Sequence, residues 1–332
     1  MAENSRLAIL GAGSWGTALA IVLAGKFETV GLWARDPERA LEIEEQRENR
    51  RYLPGFRLPE QVSVSNDLAK TAADAGMIIS VVPSAYLRGV LEAARKYICP
   101  GTALVSAIKG FEDATLCRMS QVLLQTLPAS PVAVLSGPTF AKEIAAGEPA
   151  AVVIASEQIE LAEHIQRAFA TPTLRFYTSR DVAGVEVGAA MKNVIAVGAG
   201  ICGGLGLGSN SVAALVTRGL AESTRLAVAM GGDARTLSGL AGLGDLVLTA
   251  TGDLSRNRGV GVALGRGRKL EEILAETTMI AEGVATCRAA RELGLRHGID
   301  LPIVGKMYEV LYEAKDPRAA IRELMERRLT SE

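Results

Sequence analysis

The sequence predicts an α/β protein in which an N-terminal doubly wound sheet is followed by an all-α C-terminal domain. Short β-rich segments alternate with amphipathic helical segments over the first 180 residues, which is typical of a doubly wound sheet. Several of these strand segments are continuously apolar, as are parallel strands covered on both faces. Strand patterns stop after Asp181, so we predict a sheet domain over residues 1–180 and a helical domain over residues 181–332.

The size and composition agree with two soluble domains. A chain of 332 residues is too long for one ordinary core, and 48% apolar with 22% charged residues is typical of soluble globular proteins. The formal net charge of −1 provides no field that would hold nucleic acid or an acidic membrane. We recognise no signal peptide and no apolar segment of about 18 residues, so we expect a cytoplasmic protein without integral membrane contact.

The elements of the sheet domain follow from these patterns in order. Strands are predicted at Leu7–Leu10, Thr29–Trp33, Met77–Val82, Ala103–Ala107, Val132–Ser136, Ala151–Ala155 and Leu174–Tyr177. Amphipathic helices are predicted at Ser14–Ala24, Tyr86–Tyr97 and Glu160–Phe169. In the second half, helices are predicted at Asp181–Ile201, Asn210–Ala229, Leu270–Glu276, Glu282–His297, Pro302–Glu313 and Pro317–Arg328.

Cysteine and histidine usage excludes several kinds of site. The four cysteines lie far apart with no C-x-x-C pair, so we expect neither a disulfide framework nor a metal site. The two histidines, His164 and His297, lie in charged amphipathic helices, and we predict both at the surface or its boundary. Many hydride-transferring enzymes use histidine as the proton donor. Because we predict both histidines at the surface or its boundary, another side chain must take that role here.

A glycine-rich turn follows the first predicted strand and opens the first helix. Its glycines are Gly11, Gly13 and Gly16, in a G-x-G-x-x-G arrangement. The first allows a tight turn, the second lets a pyrophosphate approach the backbone, and the third lets helix and strand pack closely. A pyrophosphate would lie at the helix N-terminus, where N–H groups and the helix dipole favour an anion. The turn predicts a Rossmann-like dinucleotide site, with a purely structural glycine turn as the alternative.

The end of the second strand bears on the choice of cofactor. NAD-specific sites usually place an acid there, about 20 residues after the turn, to accept a hydrogen bond from the ribose 2′-OH. Here Arg35 lies just past the strand, and a guanidinium suits a 2′-phosphate. We therefore expect NADPH to bind at least as well as NADH. In the alternative interpretation, Arg35 is a solvated charge and Asp36 caps the helix that begins at Pro37.

Lys192 lies in an otherwise apolar helical segment at the start of the second domain. Desolvation of a lysine in such a segment lowers its pKa, which lets it exchange a proton near neutral pH. Asn193 beside it can hold an amine or a substrate oxygen. The alternative is a lysine that extends from a core helix to solvent.

Two further groups follow predicted strands, at the carboxyl ends where ligands bind in open α/β sheets. Lys109 follows the strand Ala103–Ala107, and Gly137 and Thr139 follow the strand Val132–Ser136. Together they predict a small polar pocket, with ordinary strand-to-helix turns as the alternative.

A last polar block lies in the helical half. Ser255, Arg256 and Asn257 offer several donors, including a guanidinium suited to phosphate, although a solvated polar loop would look the same. Asp245 lies in a nearly apolar segment and needs a cationic or hydrogen-bonding partner if it is buried.

These blocks together resemble the bacterial type of NAD(P)-dependent glycerol-3-phosphate dehydrogenase over essentially the whole chain. The motifs that carry the resemblance are Ser136–Glu143, Lys192–Ala196, Thr217–Glu222, Gly242–Leu246 and Ser255–Arg258. The resemblance implies hydride transfer between NADH or NADPH and dihydroxyacetone phosphate or sn-glycerol 3-phosphate, which supplies glycerophospholipid synthesis. It also implies that Lys192 exchanges the proton, with Lys109 and Asp245 as further catalytic residues. The apolar helical half is compatible with a homodimer, although the sequence does not determine the oligomeric state.

The resemblance also assigns binding residues. Substrate contacts are implied for Lys109, Gly137, Thr139, Lys192, Asn193, Asp245, Ser255, Arg256 and Asn257. Cofactor contacts are implied for Gly11, Gly13, Ser14, Trp15, Gly16, Arg35, Tyr52, Lys109, Ala141, Arg256, Ile280 and Glu282. One departure is Ser211-Val212, where the family commonly has a small residue and then a basic one. The alternatives are a related hydroxyacid or 6-phosphogluconate-type dehydrogenase and a non-catalytic NADPH-binding sensor.

Overall fold

The computed structural model describes residues 6–276 and 281–328. Contacts divide the chain into two compact units. The first unit holds residues up to Glu112 together with Cys117–Val182, and the second holds Asp113–Leu116 together with the residues from Ala183 onwards. No sequence pattern indicates that Asp113–Leu116 group with the second unit.

An eight-stranded sheet forms the centre of the first unit, with strand order β3-β2-β1-β4-β5-β6-β7-β8. The strands are β1 Arg6–Leu10, β2 Thr29–Trp33, β3 Val62–Ser65, β4 Met77–Ser80, β5 Ala103–Ser106, β6 Val132–Ser136, β7 Ala150–Ala155 and β8 Leu174–Ser179. Every predicted strand is confirmed, with ends that differ by at most two residues. The α/β fold class is confirmed as well.

Two features of the sheet differ from the prediction. Strand β3 was not predicted, because it is a four-residue edge strand that alternates buried and partly exposed side chains instead of forming an apolar run. Strand β7 pairs with β6 antiparallel, whereas all other neighbouring pairs are parallel. The connection between β6 and β7 contains only the five-residue helix Ala141–Ala145, which is short for the crossover that a parallel pair needs.

Helices cover both faces of this sheet. In β1, Leu7 and Ile9 belong to one buried apolar cluster, while Ala8 and Leu10 belong to a second one on the other face. Successive side chains of a strand point to opposite faces, so a strand covered on both sides must be apolar throughout. The helices of this unit are α1 Ser14–Leu23, α2 Pro37–Gln46, α3 Leu68–Ala72, α4 Leu87–Ala94, α5 Met119–Thr126, α6 Ala141–Ala145 and α7 Ile159–Phe169.

The second unit is built from helices. They are α8 Val182–Gly204, α9 Ser209–Ala229, α10 Ala234–Leu237, α11 Asp245–Thr251, α12 Arg256–Gly265, α13 Leu270–Glu276, α14 Glu282–His297, α15 Pro302–Tyr312 and α16 Pro317–Met325. The six helices predicted for this half are confirmed, and a π-helical turn at Leu240–Gly244 precedes α11.

Helix α12 was not predicted, because Gly259, Gly261 and Gly265 lower its helix propensity. Two of these glycines are needed for its packing against α8. A Cβ atom on Gly261 would lie 2.0 Å from the Val197 carbonyl oxygen, and one on Gly265 would lie 2.6 Å from that of Ile201. Close contact between the two helices therefore replaces intrinsic propensity as the source of stability.

Helix α8 is long and apolar enough to cross a membrane by length and composition alone, contrary to the expectation that no such segment is present. Its most apolar window is buried completely inside the protein. That is the pattern of a core helix in a soluble protein.

Candidate functional site

The glycine-rich turn lies between β1 and α1. Gly11 has a φ of +124°, a conformation that side chains other than that of glycine rarely adopt. A Cβ atom on Gly16 would lie 1.9 Å from the Gly11 carbonyl oxygen, so only glycine permits the turn to close onto the helix. Gly13 is the N-cap of α1 and has no side-chain cap, and a Cβ atom built on it meets nothing within 4 Å. The helix therefore begins at an open backbone surface that suits an anion.

Hydrogen bonds join the glycine-rich turn to a distant segment. Ser14 Oγ donates a hydrogen bond of 2.7 Å to the Tyr52 carbonyl oxygen. Asn49, which was not among the predicted site residues, is fully buried and donates to the Ala12 carbonyl oxygen at 2.9 Å. Within the described residues, the buried Trp15 Nε1 has no hydrogen-bond partner.

Arg35 and Asp36 follow strand β2 and differ in their surroundings. The Arg35 guanidinium is exposed and lies 5.4 Å from the centroid of the Tyr86 ring. The Asp36 carboxylate accepts hydrogen bonds from the backbone N–H groups of Glu38 and Arg39, and so caps α2. Asp36 therefore has the capping role of the alternative interpretation, while Arg35 presents a cation just after the strand.

The strand-end groups of β5 and β6 come together. Lys109 Nζ donates to the Gly137 carbonyl oxygen at 2.9 Å and to Thr139 Oγ1 at 3.1 Å. Gly137 has a φ of +141°, and a Cβ atom there would lie 3.0 Å from Val152 Cα. Ala141 is the first residue of the short helix α6. The structure thus brings Lys109, Gly137 and Thr139 together in the first unit.

In the second unit, Lys192 and Asp245 form a buried ion pair. Lys192 Nζ lies 2.6 Å from Asp245 Oδ1, and the two side chains are 9% and 0% exposed. Lys192 Nζ also donates to Thr249 Oγ1 at 2.8 Å, and Thr249 Oγ1 donates to the Asp245 carbonyl oxygen at 2.7 Å. Thr249 was not among the predicted site residues, although its spacing of one helical turn after Asp245 was the available signal.

Local packing explains why these side chains meet. Gly188 precedes Lys192 by one turn on the same face of α8, and a Cβ atom there would lie 2.9 Å from the Ala241 carbonyl oxygen. The small residue lets the π-helical turn Leu240–Gly244 approach α8, and Asp245 follows that turn directly. π-Helical turns are frequent at functional sites.

A chain of hydrogen bonds begins at Asn193, the residue that follows Lys192 in α8. The Gly283 N–H donates to Asn257 Oδ1 at 2.9 Å, and Asn257 Nδ2 donates to Asn193 Oδ1 at 2.9 Å. A Cβ atom on Gly283 would lie 2.5 Å from the Asn193 carbonyl oxygen, so glycine is required at this position. The chain fixes both asparagine side chains and joins α8, α12 and the start of α14.

Three of the remaining predicted site residues lie at helix starts and differ in solvent exposure. Ser255 is the N-cap of α12 and accepts from the Arg258 N–H at 3.2 Å, so this block begins a helix and is not a solvated loop. Arg256, the first residue of α12, is exposed, and Glu282, the first residue of α14, is half-buried. Ile280 lies outside the described residues.

His164 is half-buried and His297 is exposed, which confirms their placement at the surface or its boundary. Within residues 6–276 and 281–328, no group of three or more histidine, cysteine, aspartate and glutamate side chains could hold a metal ion.

Comparison with known proteins identifies the family. Residues 6–162 match the family model described as NAD-dependent glycerol-3-phosphate dehydrogenase N-terminus, and residues 181–322 match the corresponding C-terminus model. A glycerol-3-phosphate dehydrogenase (NAD(P)+) of Citrifermentans bemidjiense is 49% identical, with 100% of this chain and 99% of that protein covered. The enzyme of the same name from Geobacter metallireducens is 51% identical, with 98% of each chain covered.

Solved structures agree at the level of the fold. The crystal structure of glycerol-3-phosphate dehydrogenase from Coxiella burnetii matches with a TM-score of 0.94 at 38% identity, covering 98% of this chain and 99% of that chain. A ketopantoate reductase from Ralstonia eutropha matches with a TM-score of 0.60 at 18% identity, covering 96% of this chain and 99% of that chain. The second likeness shows a shared fold alone.

Proposed function

Because the chain belongs to the NAD-dependent glycerol-3-phosphate dehydrogenase family, we propose that it interconverts dihydroxyacetone phosphate and sn-glycerol 3-phosphate with NADH or NADPH. The observation that carries this proposal is the cluster of Lys192, Asp245 and Thr249, a buried cation with an acid and a hydroxyl in a largely apolar core. A carbonyl reduction needs a proton donor of this kind, and the two histidines lie in other elements, His164 in α7 and His297 at the end of α14.

The first unit fits a dinucleotide. The open N-cap at Gly13, the positive φ of Gly11 and the close approach at Gly16 form a cradle that a side chain would fill. A pyrophosphate there would accept hydrogen bonds from the first N–H groups of α1. When bound, NADH or NADPH supplies the hydride for the reaction.

Lys192 provides the proton in the reductive direction. As the substrate C2 carbon gains the hydride, its carbonyl oxygen gains negative charge and takes a proton from the Lys192 ammonium group. In the oxidative direction the neutral amine accepts that proton back from the C2 hydroxyl. Asp245 and Thr249 hold Nζ in place through hydrogen bonds of 2.6 and 2.8 Å, which keeps the donor oriented before the substrate arrives.

Other side chains bind the substrate and the cofactor and orient them for the reaction. We assign Lys109 to contact with both the cofactor and the substrate carbonyl, where its charge stabilises the developing alkoxide. Asn257 and Arg256 anchor the phosphate of the substrate, and the binding energy of that remote group positions the reacting carbon. The Asn257 amide is preorganised for this role, because hydrogen bonds with Gly283 and Asn193 already fix its orientation.

Arg35 sets the balance between the two cofactors. Its guanidinium lies just past the end of β2, where the adenosine ribose binds in this fold, and a cation there favours the 2′-phosphate of NADPH. We propose that NADPH is used at least as well as NADH.

The deciding experiment measures oxidation of NADPH and of NADH by the purified protein in the presence of dihydroxyacetone phosphate. Turnover with this substrate, and none with the keto acids that correspond to 2-hydroxy and 3-hydroxy acids, is the expected result. Turnover with such a keto acid alone would identify the related hydroxyacid dehydrogenase class. Tight NADPH binding without turnover of any of these compounds would identify a sensor.

We also propose a metabolic role, a cellular location and an oligomeric state for the protein. The product would supply glycerophospholipid synthesis in the cytoplasm. We propose that two copies of the chain form a homodimer, which light scattering of the purified protein would test by giving a mass near twice 34.9 kDa.

A further inference from the structure

Asn49 is a fully buried amide far in sequence from the glycine-rich turn. Its Nδ2 donates to the Ala12 carbonyl oxygen at 2.9 Å and to Thr17 Oγ1 at 2.8 Å. Its Oδ1 accepts from the Tyr52 N–H at 3.3 Å. A single side chain therefore holds the turn, the first helix and the segment that contains Tyr52.

The hydrogen bond to Ala12 fixes the direction of the neighbouring Gly13 N–H. The peptide bond between Ala12 and Gly13 is planar and trans, so its carbonyl oxygen and its N–H point in opposite directions. Because Asn49 holds the Ala12 oxygen on one side, the Gly13 N–H must point to the other. Gly13 is the N-cap of α1, at the point where this fold presents N–H groups to a pyrophosphate.

A second contact supports the same arrangement. Ser14 Oγ donates at 2.7 Å to the carbonyl oxygen of Tyr52, whose own N–H is held by Asn49. The turn is thus attached to the Asn49–Tyr52 segment at Ala12 and again at Ser14. No side chain within the turn caps the helix, so its orientation depends on these contacts.

We propose that Asn49 is a positioning residue for dinucleotide binding, which aims the Gly13 N–H at the cofactor pyrophosphate by holding the Ala12 carbonyl. This inference rests on the proposed cofactor site. NADH and NADPH share the pyrophosphate, so loss of Asn49 weakens both cofactors by the same factor. It does not alter the choice between them, and it leaves proton exchange at Lys192 unchanged.

The test compares Asn49→Ala with Thr17→Val. Both variants remove the hydrogen bond between the Asn49 amide and Thr17, but only Asn49→Ala also releases the Ala12 carbonyl and the Tyr52 N–H. The dissociation constants of NADPH and NADH are measured by fluorescence titration, together with KM, kcat and the melting temperature. We expect Asn49→Ala to raise both dissociation constants by about tenfold, the effect of losing one buried hydrogen bond, with kcat at saturating cofactor within about threefold.

Thr17→Val should lower the melting temperature while leaving both dissociation constants within about twofold of wild type. Asn49→Ser, which keeps a small polar side chain, replaces Asn49→Ala if the alanine variant does not fold. Unchanged cofactor affinity in either folded Asn49 variant, or an equal loss of affinity in Thr17→Val, would overturn the proposal. Failure of the wild-type protein to bind either nucleotide would instead overturn the proposed function.

Discussion

Lys192 Nζ and Asp245 Oδ1 lie 2.6 Å apart inside the helical unit, although 53 residues separate them in sequence. Helix α8 is buried along almost its whole length, so the lysine would be unfavourable there without its partner. Burial of both charges requires good geometry and further hydrogen bonds, and Thr249 supplies one of them. The pair keeps an ammonium group in a place from which water is largely excluded.

Replacement of Lys192 tests the proton-exchange role directly. We expect Lys192→Met to lower kcat by about 10² to 10⁴-fold, the usual contribution of a positioned acid–base group. The dissociation constant of NADPH should stay near the wild-type value, because the proposed cofactor cradle belongs to the other unit. Near-normal turnover in a folded Lys192→Met protein would refute the assignment, and circular dichroism verifies the fold.

Replacement of Asp245 and of Thr249 distinguishes the contribution of the ion pair to stability from that of the hydroxyl. Asp245→Asn keeps the shape of the side chain but leaves Lys192 without a counter-charge. Since the pair is buried, we expect the free energy of unfolding to fall by about 3 kcal/mol or more. Thr249→Val removes one neutral hydrogen-bonding group and should lower it by about 1 kcal/mol. Urea denaturation of both variants measures the difference, and equal losses would argue against a charged pair.

Replacement of Arg35 tests the proposed preference for NADPH. Arg35→Gln should raise KM for NADPH by about tenfold, since a charge-assisted contact contributes about 1.5 kcal/mol, and should change KM for NADH by less than about twofold. Arg175→Gln is the matched control, because Arg175 also lies over a tyrosine ring, 5.2 Å from the centroid of Tyr177, on the edge strand β8. Equal losses for both cofactors in Arg35→Gln would exclude a role with the 2′-phosphate.

Glu222 makes the stability of the helical unit depend on pH. Its carboxylate accepts from the N–H groups of Ile303 and Val304 at the start of α15, with Arg225 and Asp300 as the nearby charges. Burial nevertheless raises the pKa of Glu222 to about 7. The folded protein therefore favours the protonated form of Glu222 more strongly than the unfolded chain does.

The direction of the pH effect follows from that shift. The stabilising contribution of Glu222 is complete below the unfolded-state value of 4.5 and is lost as the pH rises through about 7. We expect the melting temperature of the wild-type protein to fall between pH 5 and about pH 8 relative to Glu222→Gln, which mimics the protonated side chain. Parallel curves for the two proteins over this range would contradict the raised pKa.

The contact between α8 and α12 provides a matched pair of glycines. Gly261→Ala places a Cβ atom 2.0 Å from the Val197 carbonyl oxygen, so the helices must separate, at a cost of about 2 kcal/mol or more. Gly259→Ala lies on the same helix, where a Cβ atom meets nothing within 4 Å. It should stabilise the protein by about 0.5–1 kcal/mol through higher helix propensity. Melting temperatures that shift in opposite directions in the two variants would verify the contact between α8 and α12.

Much of this fold was predictable because its signals are local. Continuous apolar runs marked the buried strands, and the spacing of Gly11, Gly13 and Gly16 marked the turn that follows β1. Strand β3 and helix α12 were missed for a physical reason. The first is a short edge strand and the second is rich in glycine, so each is stabilised by its neighbours more than by its own residues.

The sequence by itself determined the alternation of strands and helices, the glycine turn and the unusual position of Lys192 in an apolar helix. Only the tertiary structure decided which residues Lys192 meets, because the approach of Asp245 and Thr249 depends on Gly188 and on the π-helical turn that packs against it. The same holds for Asn49, whose amide reaches the glycine turn from 37 residues away. Residue type and periodicity describe a local environment, whereas a hydrogen bond between distant segments depends on how the whole chain packs.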